Sequence, residues 1–236
     1  MIELFTIPKE HIKMFFDWPM QFTTKGLELN IVDDCVWYSL IDTGNTEFLK
    51  CKLHVTPVNK GVVKVDTVKL IKTYENDFTF FIDGNLLVYK TKNGKHKLNT
   101  LADPQVKTTT LNKALEFPAN FVIEKDYIKA LYSEVLELVK KTKDASNYII
   151  FEIENKKLKV YNKDLNDYHE YEFPMEIDSD NVMSAFSVDL IDNVLYYYNE
   201  FDTIAVGMGT DFPMQFKFKK EGIEFESIVT PRIEKE

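Results

Sequence analysis

Hydrophobic and polar residues alternate with period two through much of this chain. Toward its end Met214, Phe216 and Phe218 alternate with Gln215 and Lys217, and Ile223, Phe225, Ser227 and Val229 alternate with Glu224, Glu226 and Ile228. Such alternation puts one face of each strand in a core and the other toward solvent. Lys219 to Gly222 lie between the two runs and supply polar residues and a glycine, so the pair reads as a hairpin. Thr230-Pro231-Arg232-Ile233-Glu234 then leaves the sheet, because proline has no N–H to donate to a ladder. Further strands are predicted at 26–40 and 48–55 around a turn at Asp42 to Asn45. Others fall at 78–82 and 86–89 around Asp83-Gly84-Asn85, at 148–153 and 158–161, and at 203–206.

Helical spacing interrupts this pattern in four places. The longest predicted helix runs from Lys125 to about Lys143, with Ile128, Leu131, Val135, Leu138 and Val139 in one stripe and Lys129, Lys140 and Lys143 on or near the opposite side. In the first helix Ile12 and Phe15 face inward, leaving Lys9 and Lys13 to solvent. A short helix around 65–74 carries Lys69 and Lys72 three apart, hence on one face. The fourth, opening at Val188, has no lysine; its outward candidates are Asp192, Asn193, Tyr196 and Tyr197. Each lysine face read alone is a solvated surface. Recurrence on three of four helices, with acids expected mainly in loops and strands, suggests a shared purpose.

The chain repeats itself. Phe5 to Phe15 and Phe121 to Leu131 share the pattern F-x-I-x-K-acid-ring-I-K-x-apolar at an offset of about half the length, which points to duplication. Each copy reads as a strand turning into a helix, with its acid near the helix N-terminus, where it suits the dipole. The predicted class is therefore α+β with two similar domains, 1–102 and 117–236. They are joined by a polar, Thr-rich connector at 103–116.

Composition narrows the function. The formal net charge of −9 argues, by itself, against a basic nucleic-acid-binding domain. Arg232 is the only arginine, so bidentate arginine readout of bases is excluded over nearly the whole chain. No apolar run approaches the roughly 18 residues of a membrane span, and no secretory signal is expected from the N-terminal sequence. Cys35 and Cys51 read as buried, reduced thiols, which fits a reducing compartment. The four histidines lack metal spacing, and no P-loop, HExxH, paired CxxC or G-x-S-x-G occurs. No enzyme activity, metal or cofactor is expected. Gly207-Met208-Gly209 reads as a turn. Asp33-Asp34 and Asp178-Ser179-Asp180 have the paired carboxylates a two-metal site needs, but also sit where turns favour Asp. A metal-dependent nuclease using Asp33 and Asp34 is therefore the alternative from another class.

Thr210-Asp211-Phe212-Pro213-Met214 and the ending Thr230-Pro231-Arg232-Ile233-Glu234 resemble motifs of the sliding clamp family typified by proliferating cell nuclear antigen (PCNA), in its archaeal or viral form. Thr24-Lys25-Gly26-Leu27-Glu28-Leu29, Val68-Lys69-Leu70-Ile71-Lys72 and Leu115-Glu116-Phe117-Pro118-Ala119 are similar to further segments in the same order. The chain departs from the family in a longer connector, a longer helix from Lys125 and a last helix without its usual basic residue. The resemblance implies a homotrimeric ring, helices inside and sheets outside, that serves DNA replication and repair as a polymerase processivity factor. Lys13, Lys69, Lys72, Lys129 and Lys140 would meet phosphates of duplex DNA without reading sequence, with Lys9, Lys125, Lys141 and Lys143 as neighbours. Subunits would pair edge to edge through 94–101 and 167–173. DNA polymerase, a clamp loader and other proteins with PCNA-interacting motifs would bind a groove lined by Tyr38, Leu111, Leu115, Phe117, Pro213, Ile228, Thr230 and Pro231. A heteromeric or checkpoint-type ring is the alternative within the fold. The expected location is the cytoplasm of an archaeal or virus-infected cell, or a eukaryotic nucleus.

Overall fold

The computed structural model describes residues 1–22, 26–42, 44–65, 76–84, 86–92, 94–99, 115–141, 147–163 and 167–232. It divides into two compact units, Met1–Leu111 with Lys220–Phe225, and Asn112–Lys219 with Glu226–Glu236. The helix expected after Val65, most of the connector, and the site candidates Lys69, Lys72 and Leu111 lie outside the described residues.

The first unit opens with β1 (Ile2–Ile7), α1 (Lys9–Asp17) and the short α2 (Pro19–Phe22). There follow β2 (Leu27–Val32), β3 (Cys35–Ile41), β4 (Glu47–His54), β5 (Gly61–Val65), β6 (Phe78–Asp83), β7 (Leu86–Thr91) and β8 (Gly94–Asn99). They form two antiparallel sets in the orders β1-β6-β7-β8 and β5-β2-β3-β4. Sequence alternation merges β2 and β3 into one expected strand. The break is the two-residue turn Asp33-Asp34, where Val32 pairs with Cys35. It also assigns Val65 to a helix, whereas Val65 closes β5 opposite Leu27.

Helix α1 starts at Lys9, directly after Pro8, whose extended backbone leads in from β1. Its inward residues hold both sheets. Phe15 lies edge-on to Tyr38 of β3 at 5.1 Å, and Phe16 lies 5.8 Å from Phe80 of β6. Each ring is fully buried, which at ordinary transfer values stabilises by about 1.5–3 kcal/mol per phenylalanine. The outer edge of β4 is followed by the hairpin residues assigned to this unit. His54 N–H donates to the Gly222 carbonyl at 2.8 Å, and Trp18 packs on Phe225 at 4.3 Å. Gly222 takes φ +79, and a Cβ there would lie 2.8 Å from His11 Nε2. Both demands favour glycine in this turn.

The second unit repeats the plan. It comprises β9 (Ala119–Glu124), α3 (Lys125–Leu131), a π-helical turn (Tyr132–Leu136), α4 (Glu137–Lys141), β10 (Tyr148–Glu154) and β11 (Lys157–Tyr161). Then come β12 (Glu170–Glu176), β13 (Val182–Ser187), α5 (Val188–Val194), a single 3₁₀ turn (Tyr198–Glu200), β14 (Thr203–Met208), β15 (Met214–Lys220) and β16 (Ile223–Val229). Its antiparallel orders, β9-β14-β15-β16 and β13-β10-β11-β12, match those of the first unit strand for strand. The expected class, α+β with two similar domains, is the architecture observed.

The predicted straight helix from Lys125 is interrupted by the π turn. An extra residue in a turn advances everything after it by about 100°. As a result Leu136 joins Ile128, Leu131, Val135 and Val139 in the core, while Leu138, expected in the stripe, is half-exposed.

Candidate nucleic-acid and partner surfaces

The helix lysines do not form a uniformly basic face. Lys9 and Lys13 are exposed on α1, with Glu10 and Asp17 on the same helix. Residues 125–141 carry four lysines and three acids, and α5 contributes Asp189 and Asp192 with no lysine. Together α1, 125–141 and α5 hold six lysines and seven acids, so these helices are not free of acids even though most of the chain's 38 acids lie elsewhere. Several lysines are engaged locally. Lys125 Nζ lies 3.4 Å from the Asn199 carbonyl and 3.8 Å from Asp202, and Lys141 pairs with Glu137 at 3.7 Å, one turn back. Lys140 Nζ donates to Asp192 Oδ2 at 2.5 Å. Lys129 is exposed on α3.

Asp192 is itself held in place. The Tyr132 hydroxyl, from the π turn, donates to its backbone carbonyl at 3.4 Å, and the Tyr132 ring stacks on Tyr198 at 4.9 Å with 16° between planes. Burial, with the Asp192 charge nearby, pushes the Tyr132 hydroxyl well above its ordinary pKa, so it stays a neutral donor.

Two strands end their sheets with opposite charge. On β8, Lys95 and Lys97 are exposed, while His96 turns inward and stacks on the buried Tyr89 at 4.7 Å. On β12, Glu170, Glu172 and Glu176 are exposed, and Phe173 is buried. Pro174 and an irregular register opposite 157–159 interrupt the regular ladder after Glu172. The regular part of this edge is therefore 170–172, inside the expected segment.

The groove candidates fall into separate groups. Tyr38 does not belong among them. It is fully buried, its hydroxyl donates to the Phe15 carbonyl at 3.0 Å, and it offers a partner no surface. The resemblance implies a groove role for it, whereas its alternation partners Val36 and Leu40 are core residues. Leu115, Phe117, Pro213, Thr230 and Pro231 are half-buried. Ile228 points away from Ser227 and Val229, as the alternation implies, but is only 6% exposed.

Around these residues the second unit supplies supports that the sequence did not single out. Phe117 meets Phe212 edge-on at 5.6 Å. Gly207 lies within β14 rather than in the expected turn, opposite Asn120 and Gln215, and the Phe117 ring sits against it: a Cβ on Gly207 would be 2.7 Å from Phe117 Cγ. Gly207, Asn120, Val122, Ala205, Gln215 and Lys217 also line a cavity of about 240 Å³. The Ser184 hydroxyl donates to the Gly209 carbonyl at 2.8 Å and accepts Phe212 N–H at 3.2 Å. Arg232 N–H donates to the Ala185 carbonyl at 2.8 Å, and its guanidinium lies 4.9 Å over the Tyr148 ring. The tail is therefore docked along β13 as far as Arg232.

Three of the four paired carboxylates are engaged with lysines. Asp33 pairs with Lys60, Asp34 lies 3.9 Å from Lys52, and Asp178 accepts from Lys156 at 2.8 Å. Among the described residues no group of three or more His, Cys, Asp or Glu side chains converges as metal ligands would.

Two copies of one double-sheet unit, each with helices inserted after its first strand and again midway, define the DNA-clamp fold. Solved structures place the chain with the PCNA form of it. The structure described as the C-terminal region of FEN-1 bound to A. fulgidus PCNA is similar at TM-score 0.83 and 16% identity, over 100% of each chain. PCNA from Entamoeba histolytica is similar at 0.79 and 12%, over 98% of this chain and 99% of that one. The PCNA2–PCNA3 complex from Sulfolobus tokodaii is similar at 0.77 and 15%, over 99% and 100%. No protein-family model and no curated protein matches the sequence. At these identities the likeness is one of fold, and this chain has the PCNA clamp fold.

Proposed function

We propose that this chain is a non-enzymatic DNA polymerase processivity factor whose copies, three to a ring, encircle duplex DNA and tether replication and repair proteins. The observation that carries the reading is the pairing state of the repeated strands. In the repeat, β8 corresponds to β16 and β12 corresponds to β4. Within the first unit β4 is already followed by the opening residues of β16, whereas β8 and β12 end their sheets among the described residues. An uncovered edge is a template for another strand. The pair left open in each chain is the counterpart of the pair already joined, so β8 of one copy is matched to β12 of the next. Lys95 and Lys97 would then face Glu170 and Glu172. Such head-to-tail contacts generate a closed ring when the rotation closes.

In such a ring Lys13, Lys69, Lys72 and Lys129 serve as point-charge contacts to phosphate, suited to a protein that must move along DNA. Leu115, Phe117, Pro213, Ile228, Thr230 and Pro231, now with Phe212, form the surface for a short partner segment carrying aromatic and aliphatic anchors. Leu111 completes it by the resemblance.

Solution mass with and without such a peptide tests assembly and partner binding together. Three times the chain mass of 27.6 kDa is expected, with reversal to monomer in Lys95→Glu/Lys97→Glu and recovery when Glu170→Lys/Glu172→Lys chains are added. A wild-type monomer at micromolar concentration would sink the self-sufficient ring. A mass that rises only with a second clamp chain would move the assignment to a heteromeric one.

A further inference from the structure

We infer that Asp192 is a guard on Lys140, withdrawing that lysine from DNA and so setting a weaker grip on the second unit's helices than their lysine content implies. The inference rests on the reading of these helices as the DNA-facing surface.

Its grounds are geometric. Lys129 and Lys140 are eleven residues apart, which on an uninterrupted α-helix would bring them within about 20° of one line. The π turn at Tyr132–Leu136 intervenes and rotates Lys140 off that line by about 100°. In its new position Lys140 Nζ meets Asp192 Oδ2 at 2.5 Å. The acid has not drifted there on a mobile surface. Its own backbone carbonyl accepts the hydroxyl of Tyr132, a residue of that same π turn, and Tyr132 is held by its stack on Tyr198. Asp192 and Lys140 are both partly covered, at 30% and 39% side-chain exposure. The helix irregularity and the acid are thus one device, since Tyr132 holds the backbone of Asp192 and the turn delivers the lysine to its carboxylate.

The consequence is competitive. A phosphate can take Lys140 only by displacing a carboxylate already bonded to it, and Asp192 left unpaired would then repel the phosphate. Lys129, exposed on α3, has no such acidic neighbour among the described residues, and it carries the contact on this unit. A clamp that must slide gains from having fewer firm phosphate contacts, because each one adds to the counterions exchanged at every step.

The test is a double-mutant cycle on duplex binding and on retention by nicked circular DNA, read across a salt series with the full chain. Asp192→Asn keeps the shape and removes the charge. It is expected to tighten duplex binding roughly five-fold near 0.1 M salt and to make the log–log salt slope steeper by about 0.9, the value of one further phosphate contact. Lys140→Gln in the wild-type background is expected to change neither quantity, and in the Asp192→Asn background to cancel the gain. Asp192→Ser serves as a second charge removal should the asparagine variant unfold. A wild-type protein that loses affinity on Lys140→Gln, or an Asp192→Asn protein with an unchanged slope, overturns the guard while leaving the clamp reading standing. Failure of wild type and all variants to bind duplex or be retained on circles overturns both.

Discussion

The two units share one strand order and differ in how their helices meet the sheets. In the first, α1 is regular and aromatic, and the adjacent Phe15 and Phe16 divide between the two sheets, one reaching Tyr38 and the other Phe80. In the second, an aliphatic stripe does the same work and accommodates a π turn, with Leu136 taking the place expected for Leu138. The seventh position of the repeat shows the difference in one residue. His11 is buried against Gly222, while its counterpart Tyr127 is half-exposed. The two units keep one topology because the alternating strands and the order of pairing impose it. The helix–sheet contact is met twice with different side chains.

The largest effect that would sharpen this comparison is Phe16→Ala. It removes a fully buried ring from the junction of both sheets and is expected to cost about 3–5 kcal/mol. Because there are two units, urea unfolding followed by hydrogen exchange should show the first losing protection ahead of the second. Simultaneous loss of both would break the idea that each unit has its own core. Next in size is Gly207→Ala, whose added methyl has no room unless Phe117 moves, at a cost of about 1–3 kcal/mol. Binding of the aromatic–aliphatic peptide should fall with it, and unchanged affinity would remove Phe117 from the partner surface.

A smaller, pH-dependent difference belongs to the first unit alone. Burial lowers the pKa of His11, with Glu10 and Glu221 opposing and Lys220 adding to the shift. A histidine with a folded pKa below its unfolded value favours the neutral native form. Its contribution is present above the ordinary value of 6.5 and is lost as pH falls through that value toward the folded one. The melting temperature of the first unit should therefore drop between pH 7.5 and 5.5, and His11→Asn should flatten that drop. An equal slope in the variant would assign the pH response elsewhere.

Much of the fold was legible because strands and turns obey short-range rules. The β15–β16 hairpin, the strand-to-helix entries at Lys9 and Lys125, and the halving of the chain all follow from alternation, proline and repetition. The site was less legible, for physical reasons. Tyr38 shares its strand face with the apolar Val36 and Leu40, so local alternation marks it as core, and the groove role implied by the resemblance runs against that signal. A π turn leaves no mark in periodicity when both Leu136 and Leu138 are apolar. The Lys140–Asp192 pair joins residues 52 positions apart, and nothing local in either helix announces it. Gly207 reads as a turn residue until the Phe117 ring is seen against it.

The smallest expected effect concerns the tail. Arg232 is the single arginine of a lysine-rich chain, and it lies where a flat cation is useful, 4.9 Å over the Tyr148 ring, with its N–H on the Ala185 carbonyl. The backbone hydrogen bond survives any side-chain change, so Arg232→Lys tests the stacking alone. Lysine keeps the charge but not the plane, and a partly exposed cation–π contact is worth about 0.5–1 kcal/mol. Global stability should fall by no more than that. Thr230 and Pro231 directly precede Arg232, so loosening it should lower affinity for the partner peptide about two- to five-fold through faster dissociation, as that energy implies. Tyr148→Leu should reproduce the loss, and the two changes together should cost no more than either alone. Additive losses would show that Arg232 and Tyr148 act independently, and that the tail is positioned by the β13 backbone rather than by the stack.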